Sequence, residues 1–212
     1  MSKLLAQTPR AKSKKLAKAP HGTGHARIRK AAEDLLIEKD GILDIAELAK
    51  RAGVASSLLY RYYPSKNALL AAIVENFYDR YDQVVFKVPN DPAVGYAAGI
   101  RRRLEQMVLF HYSEPLAATV LCRLGSTADV AIVELKRIES HIDAAAAQVR
   151  QGQRLGELPG EIDPEVAGAV VIGGTHQALA RVLTREKRPS PEWLTGELWR
   201  AFSPVLHLSI SD

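Results

Sequence analysis

Leu48-Ala49-Lys50-Arg51-Ala52-Gly53-Val54-Ala55-Ser56-Ser57-Leu58 runs on into Leu59-Tyr60-Arg61-Tyr62-Tyr63-Pro64-Ser65-Lys66, and this stretch decides the fold. A short amphipathic helix stops at Gly53. A second short helix follows at once and ends in tyrosines. Pro64, which has no N–H to donate, cannot continue it. Two short helices joined by a glycine turn form a helix-turn-helix, which lays its second helix in the major groove of DNA.

Upstream, Ile28, Ala31, Ala32, Leu35 and Leu36 recur at helical spacing and predict a first helix from Arg27 to Lys39. Asp40-Gly41 ends it, the glycine being free to take the left-handed conformation of a helix stop. Asp44 is a suitable N-cap for a helix over Ile45 to Arg51, and Glu47 holds the reciprocal capping-box position. The third helix spans Ser56 to Tyr62. Ser65 caps a fourth over Lys66 to Gln83, with Leu69, Leu70, Ile73, Phe77 and Tyr81 facing inward. Asp91-Pro92, Asp163-Pro164 and Ser190-Pro191 each pair a capping residue with proline at the first helical position. They predict helices from Pro92 to Tyr112, Pro164 to Arg185 and Pro191 to Leu208. The last has Leu194, Leu198, Ala201, Val205 and Leu208 on one face. A short helix follows Ser113. A long one covers Ala128 to Arg150, with Ala131, Leu135, Ile138, Ile142, Ala145 and Val149 as its apolar stripe, and Gly152 to Ile162 reads as a loop. No strand signal or repeat competes. The fold class is all-α, with about nine helices.

The chain has 212 residues, 47% of them hydrophobic and 25% charged, the balance of a globular protein with a core. The longest apolar run, Val166 to Gly174, is about half of the ~20 residues that span a membrane, so no span is expected. The basic N-terminus lacks the apolar core of a signal peptide. The single cysteine, Cys122, permits no intrachain disulfide, which fits a cytoplasmic location. Charge is lopsided. Residues 1–66 hold 14 Lys/Arg and 6 Asp/Glu; residues 67–212 hold 15 and 18. Positive charge gathered beside a helix-turn-helix favours a polyanion through counterion release. Residues 1–24, rich in Lys, Ala, Pro and Gly without an apolar period, read as a flexible basic arm.

In a helix-turn-helix, side chains from the N-terminal part of the second helix touch base edges. Ser56 and Ser57 are placed closest to the bases, and Leu58 to a thymine methyl. Serine fits several bases and discriminates modestly. Tyr60, Arg61, Tyr62 and Lys66 are placed to reach phosphates, which fix register rather than sequence. Lys66 also sits at a helix N-terminus, which attracts anions. Leu59 and Tyr63 read as core. No Gly-rich phosphate loop, nucleophile elbow or zinc-spaced Cys/His set is present, so neither an enzyme nor a cofactor or metal is expected. His21-x-x-x-His25 has a metal-like spacing but falls in the arm.

The order of Ile28, Ala31-Ala32, Gly41, Ile45, Leu48-Ala49, Ala52-Gly53-Val54, Leu59-Tyr60, Tyr63-Pro64-Ser65-Lys66 and Leu69-Leu70 closely resembles the N-terminal domain of the TetR family of bacterial transcriptional regulators, over residues 25–72. Three positions depart from the family's habit. Asp44 stands where a threonine often caps the second helix and touches phosphate; it keeps the cap but repels that phosphate. Ala55 stands where serine is frequent, and a lost cap hydroxyl costs about 1 kcal/mol unless Ser56 takes over. Tyr63 replaces a commoner phenylalanine.

The resemblance implies a homodimer that binds a palindromic operator through residues 25–72. Residues 73–212 would form a ligand-binding and dimerisation domain, and a small-molecule inducer would release the DNA. The helix at Val166 to Gly174 is apolar all round, so it must be covered on both sides, by its own domain and a partner or by a monomer core alone. The family's last two long helices usually form the dimer interface; here that implies Val166, Val170, Gly173 and Gly174, with Trp199 and Phe202 contributing. A pocket among the fifth to eighth helices would be lined by polar groups in apolar surroundings: His111, Tyr112, Cys122, Arg123, His141, Thr175 and His176. Each also reads as an ordinary core or surface residue. Lys12, Lys14, Lys15 and Lys18 are candidates to enter a neighbouring minor groove. The leading expectation is a ligand-responsive transcriptional repressor. The alternative is an architectural or regulatory DNA-binding protein without an inducer.

Overall fold

The computed structural model describes residues 21–87, 95–125 and 127–208. The four arm lysines and the Asp91-Pro92 helix start lie outside them. Among the described residues there are nine helices and no strand: α1 (His21–Glu38), α2 (Ile45–Ala52), α3 (Ser56–Tyr62), α4 (Lys66–Val85), α5 (Tyr96–Ser113), α6 (Ala117–Arg123), α7 (Ala128–Arg154), α8 (Pro164–Leu183) and α9 (Pro191–Phe202).

Capping residues fix the helix starts. Asp44 Oδ1 accepts from the Glu47 N–H at 2.8 Å, and Ser65 Oγ from Ala68 at 3.0 Å. Asp163 Oδ1 accepts from Glu165 and Val166 at 2.9 Å each, and Ser190 Oγ from Trp193 at 3.2 Å. Each satisfies an N–H that the helix itself cannot. Helix ends moved where packing overrode the local signal. The first helix begins at His21, not Arg27, which takes residues 21–24 out of the expected arm. A Cβ on Gly24 would lie 3.0 Å from the Tyr62 hydroxyl, so this glycine is a packing site rather than a breaker. Gly152, expected in a loop, is inside α7. A Cβ there would meet the Tyr96 ring at 2.5 Å, and the Tyr96 hydroxyl donates to the Gln148 carbonyl at 2.8 Å. The last helix stops at Phe202 and a turn follows, closed by Leu208 N–H to the Ser203 carbonyl at 2.9 Å. That turn leaves Val205 exposed and buries Leu206.

The expected stripe of α7 is half right. Val149 is buried, but Leu135 is 59% exposed and Ala131 is exposed too. The inward positions are instead Val130, His141 and Ala146. The reason is electrostatic: α4 presents Glu75, Asp79 and Asp82 to this half of α7, and Arg137 and His141 turn to meet them.

Helices α1 to α3 close around Ile28, Leu35, Leu36, Leu48, Leu59 and Leu69, all fully buried. Helix α4 belongs to both halves: its first turns complete this small core, and Phe77, Tyr78, Tyr81 and Val85 continue into the larger one. There α4 packs on α5 and α7, α7 on α8, and α5 on α9. By length and composition α8 is apolar enough to cross a membrane, contrary to the expectation drawn from its nine-residue run alone. In the fold it lies against α7 so closely that a Cβ on Gly168 would sit 2.9 Å from the Ile142 carbonyl oxygen.

Candidate nucleic-acid interface and cavity

The reading head is built by local rules. Gly53 takes φ 62° and ψ 39°, the left-handed conformation that ends α2, and no atom lies within 4 Å of where its Cβ would be. Glycine is needed there for backbone angle, not space. The Val54 N–H returns to the Ala49 carbonyl at 3.0 Å and turns the chain into α3. Helix α3 starts without a side-chain cap: Ala55 is the N-cap residue and Ser56 does not take over the role. Glu47 makes only half a capping box, because its carboxylate pairs with Lys39 Nζ at 2.5 Å. Arg51 donates to Glu38 from its two terminal guanidinium nitrogens, at 2.7 and 2.8 Å. These two exposed ion pairs link α2 to the end of α1.

Ser56, Ser57, Tyr60, Arg61 and Lys66 are exposed on the head. Leu58 is half-buried. Tyr62 is half-buried as well, with the His25 ring edge-on at 4.5 Å. It therefore supports α1 at least as much as it faces outward. Leu59 and Tyr63 are core, and the Tyr63 hydroxyl hydrogen-bonds His25 Nδ1 at 2.9 Å. The sequence places His25 in the arm, and its role against Tyr63 is not legible there because the pairing needs α1 to begin before Arg27. Nor does the sequence single out Lys50, which is exposed on α2. Among the described residues Lys50, Arg61 and Lys66 make no ion pair, so their charge is available to an anion, whereas Lys39 and Arg51 are committed.

The polar residues of the C-terminal half divide. His111, His141, Thr175 and His176 come together around one small cavity with Tyr78 and Tyr81. Tyr112, Cys122 and Arg123 do not join them. The Tyr112 hydroxyl donates to the Pro189 carbonyl at 3.0 Å, and the Cys122 thiol to the Ala180 carbonyl at 3.4 Å. Arg123 pairs with Asp40 at 3.1 Å, latching α6 to the end of α1. A Cβ on Gly41, at φ 89°, would lie 2.7 Å from Arg123 Cβ. In the cavity group, burial lowers the His111 imidazole pKa to about 4, although its Nδ1 bonds the Met107 carbonyl at 2.7 Å. Burial also lowers that of His176. His141 Nε2 bonds Asp82 at 2.7 Å.

A second, larger cavity lies between α5, α7, α8 and α9, walled by Ile100, Leu104, Val171, Trp199, Phe202 and Leu206. Trp199 is 5% exposed, and the Phe202 ring sits where a Cβ on Gly174 would be, 2.7 Å away. Each of the three is thus engaged at least in part within its own chain. Val166, 62% exposed, and Val170, 44% exposed, stay on the surface, and nothing lies within 4 Å of a Cβ on Gly173.

Residues 28–73 match the family model of bacterial regulatory proteins of the TetR family. Over 203 residues the chain is 25% identical to the HTH-type transcriptional regulator EthR of Mycolicibacterium smegmatis, covering 91% of this chain and 90% of that protein. It is 34% identical to the HTH-type transcriptional repressor LfrR of the same organism over 100 residues, 43% of this chain and 52% of that protein, so the chain spans about half of LfrR. Among solved structures, GusR of Salmonella enterica superposes with a TM-score of 0.70 at 20% identity, covering 90% of this chain and 98% of GusR, a likeness of fold. Residues 28–73 thus carry the DNA-binding domain of the TetR family of bacterial regulatory proteins, and the chain is similar along its length to one transcriptional regulator.

Proposed function

We propose that this regulator is a repressor that binds a palindromic operator as a homodimer in the cytoplasm and is released when a small molecule enters its C-terminal half. One observation carries the reading: α4 touches both ends of the molecule. Its N-terminus bears Lys66 on the reading head, and Tyr78 and Tyr81 line the small cavity. Phe86, just past its C-terminus, lines the large one. Twenty helical residues extend about 30 Å. A ligand that shifts either tyrosine therefore acts on the same rigid rod that carries the reading head. An inducer that binds better to the conformation with the heads wrongly spaced lowers DNA affinity by that difference in binding free energy. The presence of cavities against α4 favours this over an architectural protein, which has no use for them. The sign of regulation follows LfrR, by name a repressor.

Lys12, Lys14, Lys15 and Lys18 add a minor-groove contact in this proposal, beside the major-groove contacts of Ser56, Ser57 and Tyr60. The deciding experiment is nuclease footprinting of the purified chain on the intergenic DNA flanking its own gene. Protection of an inverted repeat with half-sites about one helical turn apart or somewhat more is expected. Even coverage of any DNA, without a protected repeat, would instead favour the architectural reading.

A further inference from the structure

The two cavities adjoin, because Met107 and Ile172 line both. They differ in size and in chemistry. The larger encloses about 60 Å³ and the smaller about 20 Å³, and both widen toward solvent. The larger is almost wholly apolar. The smaller collects buried polar atoms with no hydrogen-bond partner: the Tyr78 hydroxyl, Thr175 Oγ1 and His176 Nε2. Tyr78 is 2% exposed and Thr175 1%. Leaving such groups unmatched is costly, and all three residues line this one cavity, which marks it as a place where something else supplies the partner. Two of the three are O–H groups, and a phenol can satisfy its hydrogen only on an acceptor. Burial pushes the Tyr78 phenol well above its ordinary range, which keeps that hydrogen in place.

No Lys, Arg, Asp or Glu lines the smaller cavity. His111 is held neutral, and Asp82 beside it is already shared by His141 and Arg137. An ionised head would lose its hydration there without gaining a counter-charge. Arg103 borders the larger cavity, but its guanidinium donates to the Val85 carbonyl at the end of α4.

We propose that the regulatory ligand is an elongated, uncharged molecule with a carbonyl-type acceptor at one end: its apolar body fills the cavity walled by Trp199 and Phe202, and its head accepts from Tyr78 and Thr175. This rests on the reading of the chain as ligand-responsive. The head then bears on Tyr78, and so on α4, while the body fixes affinity.

The test is titration of the full chain with 2-decanone, decanoate and decylammonium, which share a body and differ at the head. The ketone is expected to bind at least about tenfold more tightly than either ion. Thr175→Val and Tyr78→Phe, which keep shape and remove one O–H each, are expected to weaken the ketone by about three- to tenfold, the range of one hydrogen bond. An ion that matches the ketone overturns the proposal. So does a ketone affinity unmoved by both variants, or one abolished only by Trp199→Phe, whose indole N–H is the unpartnered donor at the other end. Should the ketone bind as expected yet leave affinity for the inverted repeat unchanged, the ligand response fails while the site stands. Should an ion release the DNA, the ligand response stands and the neutral head fails.

Discussion

Tyr60 is 50% exposed on a helix whose neighbours Leu59 and Tyr63 are buried, and that contrast separates reading from holding. Removing its side chain takes nothing from the core. Tyr60→Ala should keep the thermal midpoint and lower operator affinity about tenfold, the worth of one hydrogen bond to a charged phosphate. Wild-type affinity in a fluorescence titration would place the contact elsewhere. Lys66→Ala should weaken binding to all sequences alike and reduce the log–log salt slope by about 1. His111 tests the interior instead. Its folded pKa of about 4 lies below the unfolded value near 6.5, so the unfolded chain binds the extra proton first. Its contribution to stability is therefore full above pH 6.5 and is lost as pH falls toward 4, by at most about 3 kcal/mol. Urea unfolding at pH 7 and pH 4.5 should show His111→Leu losing less stability on acidification than the wild type. Parallel losses would mean that the imidazole is not dehydrated.

At the scale of elements, two glycines in helices call for opposite outcomes. Alanine in place of glycine favours a helix by about 1 kcal/mol where there is room. A Cβ on Gly99 in α5 meets nothing within 4 Å, so Gly99→Ala should raise the melting temperature. A Cβ on Gly152 in α7 meets Tyr96 at 2.5 Å and Leu158 at 2.8 Å. There overpacking of about 1–3 kcal/mol outweighs the propensity gain, and Gly152→Ala should lower the melting temperature. Two shifts of the same sign would show that the α5–α7 contact yields to an added methyl group. The same pair explains what the sequence could and could not reveal. Asp44, Ser65, Asp163 and Ser190 announce helix starts through hydrogen bonds to residues two or three positions away, so those starts were legible. Gly24 and Gly152 carry the same composition signal as a loop, and only partners 38 and 56 positions distant, Tyr62 and Tyr96, make them helix packing sites. The inward face of α7 was likewise decided by the acidic side of α4. Of the expected pocket residues, four converge and three do not, because convergence depends on how helices cross, which local spacing does not encode.

For the whole molecule, the remaining question is what covers the outer face of α8. Val166 and Val170 are exposed on it and Gly173 is open, while Trp199 is buried and the Phe202 ring packs on Gly174. An interface between identical chains about a two-fold axis sets the same patch against itself. A charge placed in its centre therefore meets its own copy, so Val166→Glu with Val170→Glu should split a dimer without disturbing either chain's core. Sedimentation should report a monomer with unchanged helix content. One chain carries one reading head, and a palindrome rewards two heads held together. Losing the second engagement removes an effective-concentration gain of about 10²–10⁴. Operator affinity should fall by a factor in that range, while binding to an isolated half-site stays as it was. A double variant that remains dimeric would move the interface away from this face of α8; one that becomes monomeric yet holds the full operator as tightly as before would mean that the two heads never act together.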